Sequence, residues 1–291
     1  MRLSLPALAI LSATLTLPMA MAQDAPPFAT YDAASEAVLN DPHDLAFGPD
    51  GMLYIADKFG NRIVVMDPET LEIRRTLFEG QLFGVHDVSF GPNGHAAVAV
   101  TGLSDVIVFE LAALQPRPLR KYASINTEGA LYHTNGRIYA LGAGDGQLVA
   151  YEGETAVATT GGLFGAHDVA EAPDGSIWVA DNFARRLVKY DTDLNQLQVL
   201  DHAKYGFIGP RYLDIDAFGR LIIADQDAHR ILLIDPDGPD GGTLLGVLGD
   251  GSPGRGPGKF DDPEGVVTDG ARYWFADSDN NRIVRYVVVT N

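Results

Sequence analysis

The chain contains no cysteine. That excludes a disulfide framework, a haem-attachment motif and a thiol for a lipid anchor, and it removes thiolate from any metal site. Basic residues are scarce as well: 21 Lys and Arg stand against 39 Asp and Glu, for a net charge of −18. Phosphate backbones are bound by neutralising them with Lys and Arg, so nucleic acid is excluded as a partner. The longest basic cluster, Arg117–Lys121, reads as the solvated edge of an outer strand. Long apolar runs are missing too. The stretch Leu3–Leu17 falls short of the ~20 residues a membrane span needs. Preceded by Met1-Arg2 and followed by Ala20-Met21-Ala22, it reads as a secretory signal cleaved after Ala22. The expectation is a signal peptide over 1–22 and a periplasmic or secreted domain over 23–291, with no membrane span.

What the chain does have is a repeat. Pro42-His43-Asp44-Leu45, Val85-His86-Asp87-Val88 and Ala166-His167-Asp168-Val169 each open a short apolar run. Asp50-Gly51, Asn93-Gly94 and Asp174-Gly175 then turn the chain into a second run. Three further copies keep the unit and change its first residue to Glu128, Arg211 or Glu264. A period near forty residues built from short strands indicates a β-propeller, one four-stranded sheet per repeat. In the first copy, strands are expected over 43–47, 52–56, 62–66 and 71–77. Second strands such as Leu53-Tyr54-Ile55-Ala56 and Ile177-Trp178-Val179-Ala180 are apolar without alternation, as strands buried on both faces are. The fold expected is all-β, a six-bladed propeller. Its sixth copy has only three strands, and Phe28–Tyr31 is expected to supply the fourth and close the ring.

In a propeller the innermost strands run the same way beside the central axis, so equivalent positions form a ring at one level of the channel. That ring reads His43, His86, Glu128, His167, Arg211 and Glu264. Three of the chain's 7 histidines fall in these six positions, which random placement would not produce. Three imidazoles without thiolate suit a borderline divalent ion such as zinc and leave an open position for water or substrate. The competing reading has them hydrogen-bonding channel water or capping strand ends. Asp44, Asp87 and Asp168 either orient imidazoles of neighbouring blades or accept backbone amides between blades.

The segment Phe260–Val267 followed by Phe275-Ala276-Asp277-Ser278-Asp279-Asn280-Asn281-Arg282-Ile283 resembles the NHL repeat. Asp57…Arg62-Ile63, Asp181…Arg186-Leu187 and Asp225…Arg230-Ile231 are further matches, whereas the second and third copies have lost the Asp and Arg. An NHL-type propeller with three channel histidines also resembles the peptidyl-α-hydroxyglycine α-amidating lyases. That resemblance implies a channel zinc on His43, His86 and His167, a calcium nearby, and a catalytic tyrosine and arginine. Tyr212 is the tyrosine to nominate, and Arg211 is chosen by its column alone. The gluconolactonase-like propellers, which bind their ion through Glu, Asn and Asp, match the His-rich ring less well.

The expected chemistry is a metal-dependent lyase or hydrolase acting on a small carboxylate-bearing or peptide-like substrate. Glu128 or Glu264 would be the general base, and Arg211 would clamp a carboxylate or oxyanion. The other class that fits is a non-catalytic binding protein. It would hold a small molecule or peptide in the channel, with loops such as 249–263 meeting a protein partner.

Overall fold

The computed structural model describes residues 25–289; the segment read as a signal peptide lies outside them. Six four-stranded antiparallel sheets surround one axis. Blades 1 to 5 begin with innermost strands Pro42–Phe47, Val85–Phe90, Thr127–Tyr132, Ala166–Glu171 and Pro210–Ile215. Blade 6 begins at Pro263–Thr268 and takes its outermost strand, Ala29–Ala34, from the other end of the chain. That strand pairs antiparallel with Arg282–Val288, so the ring is closed by main-chain hydrogen bonds. The closing segment runs three residues further than expected. In blade 1 the outer strand starts at Ile73 instead of Leu71, because Leu71 is left-handed (φ 57°) in the preceding turn.

The unalternating second strands are explained by what lies on each side. Tyr54 and Ala56 pack toward blade 2 while Leu53 and Ile55 pack toward blade 6, and all four are fully buried. Each of the six gaps between neighbouring blades holds one apolar cluster of this kind. Area removed from water on both faces of every central strand is the main stabilising term of the ring. Among the described residues no helix is long and apolar enough to cross a membrane.

Two devices repeat around the axis and aim the ring residues. The first is a bulge. Every innermost strand shifts register at its start, and the shift brackets His43, His86, Glu128, His167, Arg211 and Glu264. A bulged residue leaves the pleat and its side chain is re-aimed. The second is an Asp–Arg tie. Asp57, Asp181, Asp225 and Asp277 each bond an arginine five residues on, at 2.6 or 2.7 Å. Each also accepts a backbone amide from the loop entering its own blade's innermost strand: Asn40, Phe164, Gly209 and Asp261. The repeat motif thus fixes the loop that delivers the ring residue.

The aspartates that follow the histidines settle between blades. Asp44 accepts from the Val88 amide at 3.1 Å, Asp87 from Ala130 at 2.8 Å and Asp168 from Leu213 at 2.7 Å. Burial pushes all three carboxyls up, Asp168 to about 7. Where the same position is glycine the next blade comes closer. A Cβ on Gly265 would lie 2.3 Å from the His43 carbonyl oxygen.

Candidate functional site

The six ring residues lie at the starts of the innermost strands and are linked by contacts from blade to blade. His43 is fully buried, and Glu264, His86, Glu128 and His167 are each less than a tenth exposed. The His43 and His86 rings meet edge to face with centroids 4.6 Å apart. His86 and His167 both turn Nε2 toward Glu128 Oε2, at 2.9 and 3.7 Å.

The three donors that lie within 4.8 Å of one another are Asp41, His43 and Glu264, the one such group among the described residues. The sequence reading had grouped His43 with His86 and His167; His43 stands against the His86 ring and also beside two carboxylates, Asp41 and Glu264. His43 Nδ1 is 2.6 Å from Glu264 Oε2, and its Nε2 is 3.3 Å from Asp41 Oδ2. Burial opposes a charge on His43, yet Glu264 and Asp41 outweigh it and raise its pKa. Glu264 and Asp41 are held low in turn; in both, burial works the other way and the contact with His43 wins. Lys58, 3.2 Å from Asp41, adds to that effect.

His86 and His167 behave differently. Burial lowers both, His167 to about 3 with help from the Arg211 charge. Their Nδ1 atoms donate to backbone carbonyls, His86 to Gly84 and His167 to Gly165, each at 2.7 Å. Both carbonyls belong to a left-handed residue two positions before the ring residue (φ 63°). The equivalent residue in blades 1 and 6 is Asp41 or Asp262, also left-handed, so a carboxylate replaces the bare glycine there. That −2 position holds Asp41, Gly84, Asn126, Gly165, Gly209 and Asp262. This run of Asp, Asn and Gly was a signal in the sequence that could have found Asp41.

Arg211 donates from Nη1 to Gln226 Oε1 at 2.6 Å, and its Nε is 3.5 Å from Glu264 Oε1. Gln226 donates from Nε2 to both Asp262 and Glu264 at 2.7 Å. Gln226 follows Asp225 at a position that other blades fill with Lys58, Thr101, Ala143 and Ser278, and the sequence reading passed over that column. Tyr212 is fully buried in the cluster between blades 5 and 6. Its hydroxyl donates to the His86 carbonyl at 3.2 Å and stands 3.2 Å from His43 Nδ1. Burial drives its pKa well up, so it remains a phenol.

A cavity of about 330 Å³ opens beside this group, walled by Asp41, Lys58, Arg211, Asp262, Glu264 and Asp279 among others. Asp262 is pushed up to about 6, first by burial and then by the charges of Glu264 and Asp279. Two buried ring oxygens, Glu264 Oε2 and Glu128 Oε2, have no hydrogen-bond partner despite the short contacts to imidazole. Buried carboxylate oxygens of that kind are where a cation is expected.

A family model described as "Domain of unknown function (DUF5074)" matches residues 28–203, from the closing strand through blade 4. No curated protein matches the chain. Among solved structures it is similar to a catalytically inactive variant of virginiamycin B lyase from Staphylococcus aureus, solved with quinupristin. That match has 12% identity and a TM-score of 0.63, and covers 88% of this chain and 99% of that one. It is also similar to an auxiliary nutrient binding protein from Bacteroides thetaiotaomicron, at 17% identity and a TM-score of 0.66, covering 89% of this chain and 75% of that one. At these identities the likeness establishes the six-bladed propeller and nothing further.

Proposed function

This chain belongs to the DUF5074 family, a domain of unknown function, and from that premise we propose that it is a metal-dependent lyase or hydrolase working at the mouth of its channel. The substrate class is a small carboxylate-bearing or peptide-like molecule. The observation that carries this reading is the Asp41–His43–Glu264 group, buried and bordering the cavity.

One nitrogen and two carboxylate oxygens suit zinc or another borderline divalent ion. Calcium prefers six to eight oxygens and fits this donor set less well. Such an ion, when bound, polarises a substrate carbonyl or hydroxyl. The protein's own groups supply the remainder. Arg211 faces the cavity and clamps a carboxylate or stabilises an oxyanion. Asp262 is the best-placed general base, because it lines the cavity and titrates near neutrality. Glu264 stands against His43 and Glu128 against His86 and His167, which suits both to holding charge instead of moving a proton to substrate. Tyr212 acts through His43, whose Nδ1 its hydroxyl meets at 3.2 Å. The apolar N-terminal segment supports export, so a periplasmic or secreted location belongs to the same proposal.

The test is metal analysis of untagged protein, followed by a panel of amide, lactone and carbinolamide substrates. Wild type is expected to carry a divalent ion that His43→Ala loses. Asp262→Asn should keep the ion and lower turnover by roughly 10²–10⁴-fold. Protein that never takes up a divalent ion, or a His43→Ala variant that binds it as wild type does, overturns the proposal. Tight retention of a ligand without product would favour the binding-protein reading, in which loops such as 249–263 meet a partner.

A further inference from the structure

We propose that the face around the ring binds a short amphipathic peptide, its cationic group on an acidic arc formed by blades 5 and 6 and its apolar side chains on a hydrophobic arc formed by blades 1 to 4. The inference deepens the proposed function by choosing the peptide-like substrate class, and it rests on that reading for turnover, though not for binding.

Each ring residue is delivered by the loop that enters its innermost strand. In a meander sheet the loop between the second and third strands falls at the same end. Backbone hydrogen bonds join the two loops. The amides of Phe59, Gly102, Gly144, Phe183 and Asp279 donate to the carbonyls of Asn40, Phe83, Ile125, Phe164 and Asp261, at 2.9 to 3.2 Å. These paired positions lie side by side around the rim, and their chemistry changes partway round. Blades 1 to 4 place Phe59, Phe83, Ile125, Phe164 and Phe183 there, each more than half exposed. Among the described residues five phenylalanines are exposed, and four of them stand on these loops. Clustering of that kind marks an interaction surface, where scattered exposed residues would not. The Phe164 and Phe183 rings meet with centroids 5.5 Å apart, and Phe183 lies edge-on to the His167 ring at 6.3 Å, so the arc borders the ring residues themselves.

Blades 5 and 6 place Asp227, Asp261 and Asp279 on the equivalent loops, with Asp262 next in the chain. His229 stands 3.6 Å from Asp261, whereas Asp227 and Asp279 make no ion pair among the described residues. Burial pushes the Asp279 carboxyl up, and Asp261, Asp41 and Glu264 push it further, a repulsion that a bound ammonium group relieves. The cavity of about 330 Å³ is walled by Asp262 and Asp279 and also by Phe59, so it joins the two arcs. Glu264, 1% exposed, lines it as well and leaves Oε2 without a hydrogen bond, which points to a bound ligand. Ligand pockets usually hold roughly 300–1,000 Å³, so this one is small, while the hydrophobic arc spreads over four blades. A molecule that touches both is longer than the cavity, as a peptide of several residues is. The net charge of −18 favours a cationic ligand and opposes an anionic bilayer.

The experiment is calorimetry on untagged full-length protein, metal-loaded and chelator-stripped, with three acetylated peptide amides. These are lysine-phenylalanine-leucine-phenylalanine, the same peptide with glutamate for lysine, and lysine-serine-glycine-serine. The first is expected to bind and the other two to bind about tenfold more weakly or less. Asp227→Asn/Asp279→Asn should weaken the first roughly three- to tenfold and leave the glutamate peptide unchanged. Phe83→Ser/Phe164→Ser should weaken the first and leave the serine peptide unchanged. All four side chains are exposed, and thermal melts check that the variants fold. No binding of the first peptide, equal binding of the lysine and glutamate peptides, or variants that bind as wild type does overturn the proposal. So does co-sedimentation with phosphatidylcholine vesicles, or a dimer in sedimentation velocity, that Phe83→Ser/Phe164→Ser abolishes, since the arc would then be a membrane or self-association surface. Selective peptide binding by protein that never takes up a divalent ion supports the inference while the proposed function falls. An ion that His43→Ala loses, with no peptide binding, overturns the inference alone.

Discussion

Replacing Asp225 by alanine tests whether the repeat's Asp–Arg tie is what holds the ring-delivering loops. Asp225 is fully buried and Arg230 is 6% exposed. One carboxylate oxygen accepts from the Ile208 and Gly209 amides at 2.9 and 2.7 Å, and the other accepts from Arg230 Nε and Nη2 at 2.8 and 2.6 Å. Truncation strands a buried guanidinium and two amides, and breaking one side of a buried pair costs about 3–5 kcal/mol. At roughly 2–4 °C per kcal/mol for a domain of this size, Tm should fall by about 6–20 °C. Removing both charges in Asp225→Ala/Arg230→Leu should cost less than Asp225→Ala alone, because no uncompensated charge remains. The blades also supply a ranking. Arg282 is 7% exposed, whereas Arg62 and Arg186 are 20% and 31% exposed. Asp277→Ala should therefore resemble Asp225→Ala, and Asp57→Ala and Asp181→Ala should lose less. Thermal and urea melts followed by circular dichroism measure this. An Asp225→Ala loss within about 1 kcal/mol of zero, or one no larger than that of Asp181→Ala, would refute the reasoning.

Three more outcomes are expected. Deleting residues 25–34 removes the fourth strand of blade 6 and exposes the edge of Arg282–Val288, so the protein should aggregate or melt well below wild type; an unchanged melt would show the strand to be dispensable. Asp168, raised to about 7, stays protonated in the fold while the unfolded chain ionises from about pH 4, so its contribution is fully present below that pH and is lost as pH rises to about 7. Asp168→Asn should remove that decline from the Tm-versus-pH curve, and a variant curve parallel to wild type would sink the assignment. Gly265→Ala should destabilise by about 1–3 kcal/mol, because its Cβ would press on the His43 carbonyl from 2.3 Å; a neutral melt would mean that blades 6 and 1 can separate freely.

Six repeats, the closing strand and the column of ring residues were all legible in the sequence, because each is periodic along the chain and each blade repeats the same local chemistry. The recurring Asp and Arg, five residues apart, were visible for the same reason, and the structure shows that they bond. What the sequence could not settle was which ring residues meet. Asp41 and His43 belong to blade 1 and Glu264 to blade 6, and they come together only because Ala29–Ala34 closes the circle. The bulge at every ring position decides where the ring side chains go. Gln226, which links Arg211, Asp262 and Glu264, stands in a repeated position that other blades fill with Lys58, Thr101, Ala143 and Ser278, so its place is periodic and its chemistry is not. Periodicity fixes which residues reach the axis, and the contacts across the ring depend on distances that exist only once the circle is shut.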